Sequence, residues 1–582
     1  MKLVRGAWRL LVGIKDALVL CAMLLFFGLV FAALNARHGA KSIAAGALVL
    51  DLDGPIVEQP ADVSPFAAAS GQNTAHEYRL RDVVRAIDAA KDDGRVKAVV
   101  LDLDKFGGGY PAAVNEVGEA LGRVRASGKP VLAYASGYTD SGYRLAAYAS
   151  EIWMNPMGEA LFTGPGGSSL YYKGLIDKLG VNVHVYRVGK FKSFVEPYTR
   201  ADESPEAKEA ASALYGSLFE AWKQAIAKAR PKAQVAPFLA DAAGIATAAG
   251  GDFAAADLKA GLVDHLGDRV AFGKRVAALA GGDSARPAGW YKRIAYQDWV
   301  DANPLPTAGD AIGIVTVAGD IVDGKAEAGS AGGDTIANYI LKGLAEKKLK
   351  GLVLRVDSPG GSALASERIR QAVLQAKAAG LPVVVSMGSV AASGGYWVST
   401  AGDAIFAEPT TITGSIGIFG IIPTLEKTLA KIGITADGVK TTPLSGQPDI
   451  YAGTNDQVDR LFQAGIDHGY AEFIGRVAAA RHMTTARVNE IGQGRVWDGG
   501  SARQLGLVDR FGTLADAVAE TARRAHLDPA KVHAEYLEKK PGWADQLARS
   551  LADKRDEEDN AAGDAFSRLA AERRGLAAQA LG

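Results

Sequence analysis

The chain has 582 residues, of which 48% are hydrophobic and 22% are charged, and its 65 basic residues balance its 65 acidic ones. This length exceeds what one hydrophobic core serves, so two or more globular domains are expected, and the even charge argues against a nucleic-acid-binding protein. The only cysteine is Cys21, which excludes an intrachain disulfide and a catalytic thiolate elsewhere. No Cys/His cluster with metal-binding spacing occurs among the 8 histidines, so neither a metal nor another cofactor is expected.

An uncharged apolar segment of 18 residues, Ala17–Leu34, lies near the N-terminus and is long enough to span a bilayer core. The basic residues before it are Lys2, Arg5, Arg9 and Lys15. The positive-inside rule then places the N-terminus in the cytoplasm and the rest of the chain outside. A cleaved secretory signal is the alternative, but the segment is long for one and no clean small-x-small site follows. We therefore predict an uncleaved, single-pass anchor.

The remainder of the chain contains an internal repeat with a very long period. Arg95–Gly109 resembles Lys348–Ser362, which places Asp104 and Asp357 in register 253 residues apart. Three further pairs of blocks recur in the same order: Leu48–Val57 with Ile314–Val322, Lys129–Pro156 with Leu381–Pro409, and Ala260–Gly267 with Leu505–Gly512. Such agreement indicates a tandem duplication.

Each copy alternates apolar strands with helical segments. In the second copy the pattern predicts strands and helices in alternation, namely strand Ile312–Val317, helix Thr335–Glu346, strand Leu352–Val356, helix Ala363–Ala379, and strands Val383–Val385 and Ala404–Ala407. Continuous β-branched strands bounded by helices are typical of buried parallel sheets, so the fold class predicted is α/β.

These patterns predict four regions. Residues 1–44 would hold a short cytoplasmic tail and the anchor helix at about 15–35, and residues 45–300 and 301–540 would be the two repeats. The linker between the repeats is expected within Gly281–Asp310. Residues 541–582 are rich in charge and are expected to be helical or disordered, with an oligomer contact as an open alternative.

A serine in Leu381–Pro409 has the surroundings of a nucleophile. Ser393 lies at the predicted opening of a helix, with alanines before it and Gly394 and Gly395 after it. Without bulky neighbours its hydroxyl can reach a substrate, and the first amides of the helix can face a developing oxyanion. The alternative is an ordinary helix cap, because serine is common there.

A second glycine-rich turn, Asp357–Gly361, follows a predicted strand and precedes a helix, where ligand sites of α/β sheets gather. Gly360 and Gly361 let backbone N–H groups turn outward without steric penalty, so together with Gly394 they are candidates for an oxyanion hole. A plain strand-to-helix turn is the alternative.

No histidine is close in sequence to either glycine-rich block, and we expect none of the scattered ones, His184, His265, His468 and His482, to be catalytic. A lysine whose pKa is lowered by burial can replace histidine as the base. Lys190 and Lys192 follow the predicted strand Val181–Val188 in an aromatic-rich segment. The pattern alone does not distinguish either lysine from a solvated surface charge.

Four motifs together resemble the bacterial signal peptide peptidase A family in its long, duplicated form. They are Gly189–Arg200 (GKFKSFVEPYTR), Asp357–Gly361 (DSPGG), Ala392–Thr400 (ASGGYWVST) and Thr411–Gly420 (TITGSIGIFG). The resemblance extends from the anchor to about residue 535. It implies a membrane-anchored serine protease with a ClpP/crotonase-like fold.

The resemblance also implies roles for particular residues. Ser393 would be the nucleophile, and Lys192, in the context Phe191-Lys192-Ser193, would be the general base, with phenylalanine where tyrosine is more usual. The second copy offers only Lys440 in the lysine's neighbourhood, and the first copy offers Ser141 opposite Ser393. Because the glycine context of Ser141 is weak, we expect it to be a degenerate remnant.

By the same resemblance, the substrates would be signal peptides and other apolar peptides, cleaved through an acyl-enzyme. The protein would be a homotetramer in the bacterial cytoplasmic membrane, with its catalytic domains on the periplasmic side and its N-terminal helix in the lipid bilayer. The alternatives are a crotonase-like acyl-CoA hydratase or isomerase, which would not need a serine–lysine pair, and an inactive membrane scaffold.

Overall fold

The computed structural model describes residues 13, 15–16, 18–28, 43–62, 76–346 and 348–539. Residues 15–16 and 18–28 are helical and lie within the anchor helix predicted at about 15–35, whereas the rest of that helix and the predicted tail 541–582 lie outside the described residues. Among the residues described, no helix combines the length and the apolar character that a membrane crossing requires.

The first half of the chain alternates strands and helices. Its strands are β1 (Gly46–Asp51), β2 (Ile56–Val57), β3 (Tyr78–Arg79), β4 (Val96–Asp102), β5 (Val131–Ala135), β6 (Glu151–Met154), β7 (Asn182–Val188), β8 (His265–Leu266) and β9 (Arg293–Ala295). Its helices are α1 (Leu80–Asp92), α2 (Pro111–Ala126), α3 (Asp140–Ala146), α4 (Lys173–Leu179), α5 (Glu196–Thr199), α6 (Pro205–Ala229), α7 (Val235–Ala248), α8 (Phe253–Lys259), α9 (Arg269–Ala280) and α10 (Tyr296–Ala302).

The second half continues the alternation. Its strands are β10 (Asp310–Ala318), β11 (Asp320–Val322), β12 (Ser330–Gly332), β13 (Leu349–Ser358), β14 (Val383–Ala392), β15 (Ala404–Ala407), β16 (Ile412–Gly414), β17 (Ile418–Thr424), β18 (Val496–Asp498), β19 (Arg510–Phe511) and β20 (Val532–Tyr536). Its helices are α11 (Gly333–Ala345), α12 (Ala363–Ala378), α13 (Gly394–Ser399), α14 (Glu426–Lys431), α15 (Asp456–Arg481), α16 (Thr485–Ile491), α17 (Gly499–Gln504) and α18 (Leu514–Arg524).

Both halves contain a central parallel sheet with the same strand order. In the first half the order is β8-β6-β5-β4-β1-β9. In the second half β19, β15, β14, β13, β10 and β20 pair in the corresponding succession. The repeat read from the sequence is therefore a repeat of the fold, and the predicted α/β class is confirmed.

Each sheet is covered on both faces, as its continuous apolar strands predict. In β1, Leu48 and Leu50 join the core beneath α1 and α2, whereas Ala47 and Val49 pack with Phe272 of α9 on the opposite face. All ten residues of β14 are buried. This burial places the strand ends, and not the strand faces, within reach of a substrate.

Two expectations about the connections need correction. The stretch 281–310 is more than a linker, because β9 pairs with β1 and Trp299 of α10 is fully buried, its indole N–H donating to Ala86 O. The strand predicted to end at Val385 runs on to Ala392, because the residues after Val385 continue the pairing along β13 and then β16.

The halves are joined by a two-stranded antiparallel ribbon, in which β7 of the first half pairs with β17 of the second. Seven consecutive residue pairs run from Asn182↔Thr424 to Val188↔Ile418. Lys192 follows β7, and β17 follows the loop after Gly414. The ribbon therefore brings the segment that carries Lys192 to the second sheet.

Candidate active site

The backbone of Ser393 is held in a sharp turn between β14 and α13. Its φ of 53° and ψ of −116° are unfavourable for an L-residue with a side chain. The serine N–H donates to Gly414 O at 2.9 Å, and its carbonyl accepts from the N–H of Trp397 at 2.9 Å. These bonds fix a strained conformation that turns the side chain away from the strand.

Glycines allow the predicted oxyanion loop to approach this turn. A Cβ added to Gly360 would lie 2.6 Å from Gly394 N and 2.8 Å from Ser393 Cβ. A Cβ on Gly394 would lie 2.5 Å from Ser366 Oγ and 3.3 Å from Gly361 N. Because atoms this close leave no room for a methyl group, glycine is required on both sides of the approach.

The predicted oxyanion donors differ in their availability. The N–H of Gly360 donates to Ser358 Oγ at 3.1 Å, so the prediction that this N–H is an oxyanion donor was wrong. Gly360 matters instead because it has no side chain, which lets its loop approach Ser393 and Gly394. The N–H groups of Gly361 and Gly394 donate to no acceptor among the residues that the structure describes. These two amides, which approach each other across the same gap, remain available to a ligand oxygen.

The structure brings Lys192 to Ser393 across the boundary between the halves. Lys192 Nζ lies 3.1 Å from Ser393 Oγ, 3.0 Å from Ser415 Oγ and 3.2 Å from Ser415 O. Lys192 is only 5% exposed, whereas the neighbouring Lys190 is exposed and places its Nζ 4.9 Å from the centre of the Phe191 ring. Of the two candidate lysines, only Lys192 contacts the serine.

Two glycines of the second half pack closely against this lysine. A Cβ on Gly494 would lie 2.6 Å from Lys192 N and 2.7 Å from Lys192 Cβ, and one on Gly417 would lie 3.3 Å from Lys192 Cδ. The N–H of Phe191 donates to Gln493 O at 2.8 Å, which ties the lysine segment to the loop before β18. The position of the amine is thus set by backbone of the opposite half.

Burial lowers the pKa of Lys192 to about 8. Among the described residues no carboxylate offsets this effect, so the ammonium has no charge of opposite sign to compensate its lost hydration. About one molecule in ten then carries the neutral amine at pH 7, compared with fewer than about one in a thousand for an ordinary lysine. A neutral amine with a lone pair can accept the proton of a serine hydroxyl.

The sequence analysis did not assign a role to Ser415. It has a φ of 50°, its N–H donates to Arg495 O at 2.7 Å, and both its side-chain and carbonyl oxygens accept from Lys192. The only signal was its place inside the quoted motif Thr411–Gly420. A serine after a glycine is also an ordinary turn pattern, so its contact with the lysine could not be read from the sequence.

Ser141 and Lys440, which the repeat places opposite Ser393 and in the neighbourhood corresponding to Lys192, do not form a serine–lysine pair in the structure. Ser141 lies in α3 beside Gly108, and no basic side chain hydrogen-bonds to it among the described residues. Lys440 is exposed in the loop between α14 and α15. Of the sequence-selected histidines, His184 hydrogen-bonds to Thr424 and lies on the ribbon, away from the contacts of Ser393.

The site therefore combines a strained serine, a buried amine with a lowered pKa, and two free amides. This set of groups suits acyl transfer, because a nucleophile, a base and donors for a tetrahedral oxyanion lie within one contact network.

Comparison with known proteins agrees with this chemistry. Residues 123–281 and 375–528 match the model described as peptidase family S49. The chain is 39% identical to "Protease 4" of Salmonella typhi, over 94% of this chain and 89% of that protein. It is 36% identical to "Protease 4" of Haemophilus influenzae, over 89% and 86% of the two chains. It is 29% identical to "Serine protease SPPA, chloroplastic" of Arabidopsis thaliana, over 75% and 64%.

Proposed function

Since this chain belongs to peptidase family S49 and is a serine-type protease, we propose that Ser393 is its nucleophile and Lys192 its general base. The observation that carries the proposal is the 3.1 Å contact between Lys192 Nζ and Ser393 Oγ in a buried site. The hydratase alternative has no use for that pair, and an inactive scaffold would have no need to keep it.

The proposed reaction begins with the neutral amine of Lys192. It accepts the hydroxyl proton as Ser393 Oγ attacks the carbonyl carbon of a peptide bond. The amides of Gly361 and Gly394 donate to the oxyanion of the tetrahedral intermediate. The ammonium then gives its proton to the departing amine, which leaves an acyl-enzyme on Ser393. Water, deprotonated by Lys192, hydrolyses that ester and restores the free serine.

Ser415 has a supporting part in this scheme. Its two oxygens accept hydrogen bonds from Lys192 at 3.0 and 3.2 Å, and these bonds persist when the amine becomes charged. They orient the remaining lone pair toward Ser393 and partly replace the water that burial removes. Charge-assisted bonds of this kind are stronger than those between neutral groups.

For substrates we propose signal peptides and other apolar peptides left in or near the bacterial cytoplasmic membrane after precursor processing. An uncleaved helix over Ala17–Leu34 would hold the catalytic halves at the periplasmic surface, where such peptides are concentrated. Tethering raises the effective concentration of an enzyme near a membrane-bound substrate without any new contact.

We further propose assembly into a homotetramer. Shifted by the 253-residue repeat, β17 corresponds to residues 165–171 and β7 to residues 435–441. Both segments are without strand pairing in the single chain and consist mostly of exposed residues. Pairing of residues 165–171 with residues 435–441 of a second copy would repeat the ribbon between chains and continue head to tail, which allows a closed ring.

The proposal is tested by comparing Ser393→Ala with Ser141→Ala in the full-length protein. Peptide hydrolysis and covalent labelling by a fluorophosphonate are measured for both variants. We expect Ser393→Ala to lower kcat by at least about 1,000-fold and to abolish labelling, while Ser141→Ala keeps both within about twofold. Labelling that persists in Ser393→Ala would refute the assignment of the nucleophile.

A further inference from the structure

The strand that delivers Ser393 contains a bulge opposite one residue of β13. β13 and β14 pair in register from Leu352↔Val383 to Val356↔Met387, and the register then jumps to Ser358↔Ala391. One residue of β13, Asp357, therefore faces three residues of β14, which are 388–390. A bulge of this kind bends its strand and changes where the following side chains point.

The side chain of Asp357 fills the space inside this bulge. Its Oδ1 accepts the N–H of Val390 at 2.8 Å. A Cβ on Gly388 would lie 3.1 Å from Asp357 Cγ and 3.1 Å from its Oδ1, so the strand and the carboxyl group are in close contact. The buried N–H of Val390 would otherwise lack this acceptor, and an unsatisfied buried donor is costly.

The bulge determines which neighbour β14 pairs with. Before it, β14 pairs with β15 from Val384↔Ala404 to Ser386↔Phe406. After it, the strand pairs with β16 from Val390↔Ile412 to Ala392↔Gly414, and Ser393 follows directly. The N–H of Ser393 itself bonds to Gly414 O. The redirected end of β14 therefore fixes the place of the serine.

Asp357 also begins the oxyanion loop. The next residue, Ser358, accepts the N–H of Gly360 on its Oγ at 3.1 Å, and Gly361 follows with its free amide. One side chain thus connects the strand that ends in the serine with the strand that ends in the oxyanion donors. A shift of either strand by a few tenths of an ångström would change the distance between attacking oxygen and amides.

The first copy supplies a comparison inside the same molecule. Asp104, the repeat partner of Asp357, accepts the N–H of Ser136 and forms an ion pair with Arg269. There β4 and β5 stay in register to Asp102↔Tyr134, without a bulge among their paired residues. In the first copy the aspartate binds the N–H that follows β5, and the serine beyond this strand, Ser141, has no lysine partner among the described residues.

We propose that Asp357 is a positioning residue for the protease reaction, whose hydrogen bond to the β14 bulge sets Ser393 against the Gly361 and Gly394 amides. The proposal rests on the assignment of Ser393 as the nucleophile. It requires an acceptor oxygen at this position and does not require the negative charge.

The experiment compares Asp357→Ala and Asp357→Asn with the matched control Asp104→Ala, all in the full-length protein. For each variant kcat and KM are measured on one peptide substrate, together with the rate of fluorophosphonate labelling and the Tm. Asparagine keeps an oxygen that can accept the Val390 N–H, whereas alanine removes it. The comparison therefore separates positioning from general loss of stability.

We expect Asp357→Ala to lower kcat and the labelling rate by about 100-fold with KM within about threefold, because transition-state contacts are lost and ground-state binding is not. Asp357→Asn should restore both rates to within about fivefold of the wild type. Asp104→Ala should lower the Tm but leave kcat within about twofold.

Wild-type kcat in a folded Asp357→Ala variant would overturn the proposal, as would equal losses in the alanine and asparagine variants or an equal loss of kcat in Asp104→Ala. These results are distinct from failure of the proposed function. If the wild-type label is not on Ser393, the nucleophile assignment fails whatever the aspartate variants do.

Discussion

Replacing Lys192 by methionine should abolish hydrolysis and, below pH 8, stabilise the folded protein. Burial holds the pKa of this lysine at about 8 instead of the ordinary 10.5. A lowered pKa means that the folded state binds the proton less tightly than the unfolded state does. Below pH 8 both states are protonated, so the folded state bears the full cost of a buried ammonium, about 3 kcal/mol.

The Lys192→Met variant removes this cost, but part of the stability gained in this way is lost again. Methionine cannot donate to Ser415 or Ser393, and the lost hydrogen bonds cost about 1–2 kcal/mol. The net effect should be a stabilisation of about 1–2 kcal/mol at pH 6.5. As pH rises from 8 to 10.5 the folded lysine becomes neutral first and its cost disappears. Near pH 10.5 the variant should therefore be equal to the wild type or less stable.

The assay is thermal or denaturant unfolding of both proteins at pH 6.5 and at pH 10.5, with peptide hydrolysis measured on the same samples. Lys190→Met is the control, because Lys190 is exposed and should change neither property. In the wild type, kcat/KM should fall about tenfold per pH unit below pH 8 as Lys192 gains its proton. A Lys192→Met variant that is less stable than the wild type at pH 6.5, or a wild-type rate that stays level down to pH 6, would refute the reasoning.

Two further substitutions test the packing of glycine against Lys192 and an ion pair between the two halves. Gly494→Ala should lower kcat by about 100-fold, because its Cβ would lie 2.6 Å from Lys192 N and must displace the lysine. Gly475→Ala, where nothing lies within 4 Å of the added Cβ, should leave kcat unchanged, and equal rates in the two variants would contradict the packing argument. Arg355→Met should lower the free energy of unfolding by about 3–5 kcal/mol, because it leaves Glu58, 2.8 Å from Arg355 and 8% exposed, as an unpaired buried carboxylate between the halves. Denaturant unfolding measures this loss, and a loss below about 1 kcal/mol would show that the pair is not needed.

Much of the fold could be predicted because the second sheet is built from unbroken apolar strands. The strand Ala404–Ala407 has the predicted bounds, and the helix predicted at Ala363–Ala379 ends one residue earlier in the structure. The predicted end of Val383–Val385 was wrong, because residues 386–392 are small and polar in part and resemble a turn. Their strand conformation depends on pairing with β13 and β16, which lie elsewhere in the sequence.

The candidate site was less accessible to sequence reasoning. The surroundings of Ser393 predicted a serine at a helix start, but only the family resemblance separated Lys192 from Lys190. Ser415 escaped because its role depends on a contact across the two halves. The N–H of Gly360 was expected to face a ligand, whereas the hydroxyl of Ser358 binds it. The side chain of Ser358, two residues earlier, occupies the Gly360 N–H, and the sequence pattern did not predict this hydrogen bond.

The two proposed reacting groups are 201 residues apart in the chain. During synthesis the N-terminal half leaves the ribosome first and folds as a unit. It carries the lysine but lacks the serine, so a nascent chain has no complete proteolytic centre. If the two residues act as proposed, hydrolysis requires that the second copy has been synthesised and that the β7–β17 ribbon has formed. An N-terminal half made alone would therefore contain the proposed base but lack the proposed nucleophile.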